Sequence, residues 1–179
     1  MNPREYTNHV GFYNGQWLAA AFNLTHNHYG IDLCDQKYGI EVKSRLKSYQ
    51  ASVAVHAYQV NQFQKENPSL TLFWAFVFYS TTKPISEITH HNEISRNLCD
   101  QEAYILPWDW VRQFPSSTSP KTGPYIYVHK RDFPSSNQFQ DFSVASGCIH
   151  VLIGTEVNLI DRLSVFVPSP SGRIYSLAP

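Results

Sequence analysis

Two short segments carry residue types suited to metal-assisted cleavage of a phosphodiester. They are Gly30-Ile31-Asp32-Leu33 and Ile40-Glu41-Val42-Lys43-Ser44-Arg45, separated by the polar turn Asp35-Gln36-Lys37-Tyr38-Gly39. Alternating residues on either side of a turn cluster predict a β-hairpin over about 30–47. A loop closing between Cys34 and Gly39 sets Leu33 opposite Ile40 and Asp32 opposite Glu41. Facing residues have Cβ atoms about 4.5–5.5 Å apart, and Lys43, two residues on, shares the face of Glu41. The reverse face, Ile31 and Leu33 against Ile40 and Val42, is apolar and suits a core. A slip of one residue would spoil both faces. Two carboxylates this close repel each other unless a cation lies between them. Oxygen ligands favour a hard ion, Mg²⁺ with Mn²⁺ as a substitute. A lysine beside it can orient a water and offset charge growing on a phosphate. The competing reading is a surface strand with a Glu–Lys pair and an unrelated aspartate.

The elements that would hold these groups follow from periodicity. Trp17, Leu18, Ala21, Phe22 and Thr25 form a helical stripe, predicting a helix over 14–25 capped by Asn14. Ser52 can cap a second helix running to about Glu66, with Val53, Ala57, Val60 and Phe63 as its buried side and His56, Gln59 and Gln62 beside it. The run Leu70 to Tyr79 is aromatic and β-branched, which suits a strand buried on both faces. Strand, helix, strand in succession predicts a parallel crossover. Further on, a short helix is expected at 93–98 and a strand at 102–106, with a turn or single helical turn at 107–111. A loop is expected over 115–123 and another over 134–141. Strands are expected at 125–128, 148–153 and 163–167, with 157–162 unassigned. Trp108 and Trp110 are expected in the core or an interface.

The totals fit one folded domain. Of 179 residues, 42% are hydrophobic, 15% aromatic and only 16% charged, with a formal net charge of zero. This profile excludes a disordered chain. Zero net charge does not provide a bulk electrostatic grip on nucleic acid, so binding would rest on local basic groups and metal. Three widely spaced cysteines, Cys34, Cys99 and Cys148, argue against a disulfide framework and fit a reducing cytoplasm. The first residues lack a signal-peptide core, and no apolar run is long enough to span a membrane.

On the two quoted segments, and their place between a leading helix and a later helix–strand pair, residues 10–80 resemble the PD-(D/E)xK nuclease superfamily of restriction endonucleases and junction resolvases. The resemblance implies an α/β (α+β) fold with a mixed central β-sheet flanked by helices. It implies that Asp32 and Glu41 hold the metal with the Val42 carbonyl, and that Lys43 positions the attacking water. Gln16 falls near the position where many relatives carry a glutamate on the leading helix, and glutamine lacks that charge. Gln59 or Gln62 would match the polar residue some relatives carry on the next helix.

The expectation is therefore a single nuclease domain, 1–179, with its core motif at about 10–80 and additions for recognition and dimerisation at 81–179. It would be a Mg²⁺-dependent, site-specific endonuclease acting on double-stranded DNA as a homodimer, with no membrane association. Arg45, Lys47, Lys121, Lys130 and Arg131 are the candidate DNA contacts. A homing endonuclease or Holliday-junction resolvase of the same superfamily is the alternative. From another class, a non-catalytic nucleic-acid-binding module is the competitor. Three further patterns carry less. Asn27-His28 lacks the ββα metal site of an HNH nuclease. His90-His91 with Cys99 does not supply a tetrahedral zinc set. Cys148 with His150 reads better as a buried cysteine beside a structural histidine than as a nucleophile and base.

Overall fold

A computed structural model describes residues 2–47, 52–119, 123–144, 147–154, 157–163, 166–168 and 174–176. Helix α1 spans Pro3–Phe22. It starts well before the predicted point because Asn2 is the cap: its side chain accepts from the Glu5 N–H, and Glu5 accepts from the Asn2 N–H. Two-residue strands β1 (Thr25–His26) and β2 (Leu33–Cys34) lead to β3 (Tyr38–Leu46). Next come β4 (Ser52–His56), α2 (Ala57–Glu66) and β5 (Thr71–Thr81). Ser52 thus opens a strand and not a helix. Val53 and Val55 alternate inward there, while Ala57, Val60 and Phe63 pack from the helix that follows.

Helix α3 (His91–Asn97) and β6 (Leu98–Pro107) lie close to their predicted positions, and a 3₁₀ turn covers Trp108–Gln113. The stretch expected as a loop contains β7 (Ser116–Ser119), an edge strand paired with β8 (Gly123–His129). Part of the other expected loop is β9 (Phe139–Val144), which pairs with β10 (Gly147–Leu152). The short helix α4 (Val157–Ile160) occupies the unassigned stretch, and three-residue strands β11 (Phe166–Pro168) and β12 (Ile174–Ser176) follow.

The architecture is mixed α/β. The main sheet runs β1-β2-β3-β5-β6-β10-β9, extended by β12 and β11, and a second sheet runs β4-β8-β7. Strands β3 and β5 are parallel, as the crossover predicts, with Glu41 beside Trp74 and Lys43 beside Phe76. Strand β5 is buried on both faces. Phe73, Ala75 and Val77 join Leu18 and Phe22 of α1 on one side, and Trp74, Phe76 and Phe78 join α2 and the small sheet on the other. These two layers sandwich the main sheet, and each apolar side chain removed from water contributes roughly 1.5–3 kcal/mol.

Trp108 fixes where α2 sits. Its ring stacks on Trp74 with centroids 4.1 Å apart. Its indole donates to the Val60 carbonyl at 2.8 Å, while the Trp74 indole donates to the Trp108 carbonyl at 2.9 Å. Val60 neighbours Gln59, so this buried pair of indoles sets the position of Gln59 over β3.

Candidate functional site

The β2–β3 ladder has the predicted register, with Leu33 opposite Ile40 and Cys34 opposite Gly39. It ends at Leu33, one residue short of Asp32. A continued antiparallel ladder would join the Val42 N–H to the Ile31 carbonyl. Instead the Ile31 carbonyl accepts from the Asn27 side chain at 3.1 Å, and Asp32 Oδ2 accepts from the Val42 N–H at 2.8 Å. The Asp32 carboxylate thus takes the place of a ladder carbonyl at the sheet edge. Ile31 leaves the apolar face expected for it and packs in the opposite layer, with Trp74. The turn that brings this about closes from the Asn27 N–H to the Asp32 carbonyl at 2.7 Å, with Gly30 at φ +77°.

Glu41 lies on the neighbouring strand and is only 3% exposed. Its Oε1 accepts from Lys43 Nζ at 2.6 Å and from the Gln59 amide at 3.4 Å. Its Oε2 is buried without a hydrogen-bond partner. Burial pushes the Glu41 carboxyl up to about 7, with a further push from the Asp32 charge and against the pull of Lys43 and of the Asp32 backbone N–H. A buried, half-satisfied carboxylate beside a second carboxylate is a place where a hard cation fits. A strand residue's N–H and C=O project toward the same neighbour, so the Val42 carbonyl faces the edge that Asp32 occupies. Asp32, Glu41 and the Val42 carbonyl are therefore the groups that could hold such an ion. Among the described residues, no three His, Cys, Asp or Glu side chains converge.

Asp32, Val42 and Lys43 open onto a cleft of about 610 Å³ between α1, the 26–28 loop, β3 and β4. Arg45 lines the same cleft. Gln16 is exposed on α1 and does not line it. The helix face turned toward the cleft carries Thr7, Asn8, Gly11 and Phe12. Gln59 reaches Glu41, whereas Gln62 bonds Glu66 at 2.7 Å on the helix surface. Lys47 and Lys130 meet away from the cleft on Glu102, at 3.2 and 2.6 Å, and Lys47 also pairs with Asp100 at 2.7 Å. Arg131 is 81% exposed, 3.7 Å from Asp132. Lys121 lies outside the described residues.

Sequence reasoning missed three histidines here. His26 and His28 line the cleft with Phe12, whose ring lies 5.0 and 5.8 Å from theirs. The His26 ring is flush against α1, where any Cβ on Gly15 would fall 2.5 Å from its Nε2. Burial lowers its pKa, opposed by the charge of Asp32. His56 ends β4 and accepts or donates at 3.0 Å with the Tyr125 hydroxyl, and its Nδ1 is buried without a partner. Burial and the Lys43 charge both lower its pKa. The available signal was the nearness of His56 to Gln59 in the chain, His56 being the residue before α2. His150, considered as a base for Cys148, bonds Asp141 at 2.7 Å and stacks on Tyr104. Among the described residues no disulfide joins Cys34, Cys99 or Cys148, and no helix is long and apolar enough to cross a membrane. No protein-family model matches this chain, and neither does any curated protein.

Proposed function

We propose that the protein is a Mg²⁺-dependent DNA endonuclease that hydrolyses phosphodiester bonds where Asp32 and Lys43 line the cleft beside the buried Glu41. The observation that carries this reading is the buried Glu41 carboxylate. One oxygen is held by Lys43 and Gln59, the other has no hydrogen-bond partner, and Asp32 sits at the adjoining strand edge. Bound there, Mg²⁺ would supply Lewis-acid activation of a water and neutralise charge at the phosphate. Asp32 and Glu41 would hold the ion together with the Val42 carbonyl. Lys43, partly exposed on the cleft wall, would donate to a water or a phosphate oxygen there. Gln59 keeps the Glu41 carboxylate oriented. Arg45 offers a second cation along the same wall.

Within this class we favour a site-specific, restriction-type enzyme of the cytoplasm acting on double-stranded DNA. Cutting both strands takes two such sites, which a homodimer on a palindromic target supplies. The test is incubation of plasmid and phage DNA with Mg²⁺, with and without chelator. Discrete fragments that vanish with chelator are expected. Glu41→Ala and Lys43→Ala should each lower the cutting rate by about a hundredfold or more while the fold is kept. Intact DNA under all these conditions would leave Glu41 and Lys43 as a structural ion pair.

A further inference from the structure

The small sheet turns one face inward, where Val53, Val55, Ile126 and Val128 are buried. Its outward face carries aromatic rings in sequence. Tyr125 and Tyr127 alternate outward on β8, opposite His56 and Ala54 of β4. Tyr58, in the first turn of α2, continues the row. Ring centroids are 5.2 Å apart from Tyr58 to His56, 4.1 Å from His56 to Tyr125, and 6.4 Å from Tyr125 to Tyr127. Tyr58 is 54% and Tyr127 46% exposed, the rings at both ends of the row. A contiguous exposed aromatic row marks an interaction surface. This one runs into the cleft: Ser52 and Ala54, on the same face of β4, line it with Lys43 and Arg45.

We infer that this aromatic face is a stacking platform for unpaired bases of the nucleic-acid strand whose phosphate lies at Glu41 and Lys43, so that the substrate carries a single-stranded segment beside the bond that is cut. The inference rests on the nuclease reading of the Glu41–Lys43 site and departs from its fully duplex, restriction-type form, since the substrate it names is unpaired beside the cut bond. Stacking suits a chain with no net charge, because every base offers a ring face whatever the sequence. Phosphate attraction alone would need a basic surface instead. Continuity with the cleft favours a strand entering the site over a protein partner, which would have no reason to abut Lys43 and Arg45.

The test uses the full chain in chelator, with fluorescence anisotropy of a labelled oligothymidylate, an abasic strand of equal length and a blunt duplex. The thymidylate strand should bind at least tenfold more tightly than the abasic one. Tyr58→Ala with Tyr127→Ala should weaken thymidylate binding by about tenfold per ring and leave abasic binding unchanged. Tyr58→Phe with Tyr127→Phe should retain it. Failure of the wild type to bind the single strand, equal affinity for the abasic strand, or unchanged binding by the alanine variant would each overturn the platform. So would an alanine variant that changes only the oligomeric state in sedimentation. The assay contains no Mg²⁺, so cleavage is scored apart: base-dependent binding without any Mg²⁺-dependent cutting would sink the nuclease reading and leave a binding face.

Discussion

At the scale of the residue, Glu41 couples protonation to stability. Folded Glu41 keeps its proton to about pH 7, against an ordinary value of 4.5, because burial disfavours the charged form more than Lys43 favours it. Between those limits the native state binds more protons than the unfolded chain. Stability contributed by this residue is therefore full below 4.5, falls as pH rises through 7, and is level above. Glu41→Gln removes the titration. In chelator we expect it to match the wild type at pH 4 and to exceed it by about 1–3 kcal/mol at pH 8, as read by urea denaturation. A deficit of equal size at both pH values would show that Glu41 does not titrate as described. Added Mg²⁺ should raise the melting temperature of the wild type at pH 8 and leave that of Glu41→Gln unmoved, since only a native ligand set couples ion binding to folding. The placement of Glu41 and Lys43 two residues apart on one strand was legible from the hairpin pattern. The way Asp32 is held was not, because a side chain replacing a ladder carbonyl leaves no mark on periodicity.

At the scale of the element, helix α1 is tied to the sheet through Asn14. This residue reads as a cap, yet it sits mid-helix and is fully buried. Its amide donates to the Ser44 hydroxyl at 3.0 Å and accepts from Gln101 at 2.6 Å, joining α1 to β3 and β6. Asn14→Ala removes one hydrogen bond from half-buried Ser44 on β3 and one from buried Gln101 on β6, so a loss of about 1–3 kcal/mol is expected in chemical denaturation. A loss no larger than that of an exposed control, Gln16→Ala, would show the tie to be dispensable. The true cap was legible, since Asn2-Pro3-Arg4-Glu5 carries the capping-box residues with proline in the first turn. The buried strand at 71–81 and its crossover were legible because an unbroken apolar run admits few other placements. The small sheet was hidden for opposite reasons at its two edges. Strand β4 is five residues joined directly to a helix, so its alternation merges with the helical stripe of Ala57, Val60 and Phe63. In β7, Ser116, Ser117 and Thr118 are exposed, and an all-polar edge strand has the composition of a loop.

At the scale of the whole molecule, the neutral charge balance sets how the protein would hold DNA under the proposed function. Sequence alone offers Arg45, Lys47, Lys121, Lys130 and Arg131 as a basic set, but folding disperses those that are described. Lys47 and Lys130 spend their charge on Asp100 and Glu102. Burial would raise the Glu102 carboxyl, yet the two lysines hold it below its ordinary value. Among the described residues, Lys43 and Arg45 are the lysine and arginine side chains that line the cleft. Each phosphate neutralised contributes roughly 0.9 to the slope of log affinity against log salt on duplex DNA. Two contacts on one chain therefore imply that raising salt fourfold weakens duplex binding by about tenfold, and four on a homodimer by about a hundredfold, whereas a surface making six to ten contacts would lose about a thousandfold or more. Anisotropy titrations with a duplex from 50 to 200 mM salt, about the range over which such losses are large, measure this directly. A steep slope in the wild type that Lys43→Ala and Arg45→Ala leave unchanged would place the phosphate contacts outside the cleft. A shallow slope, flattened further by each substitution, is what this charge arrangement requires.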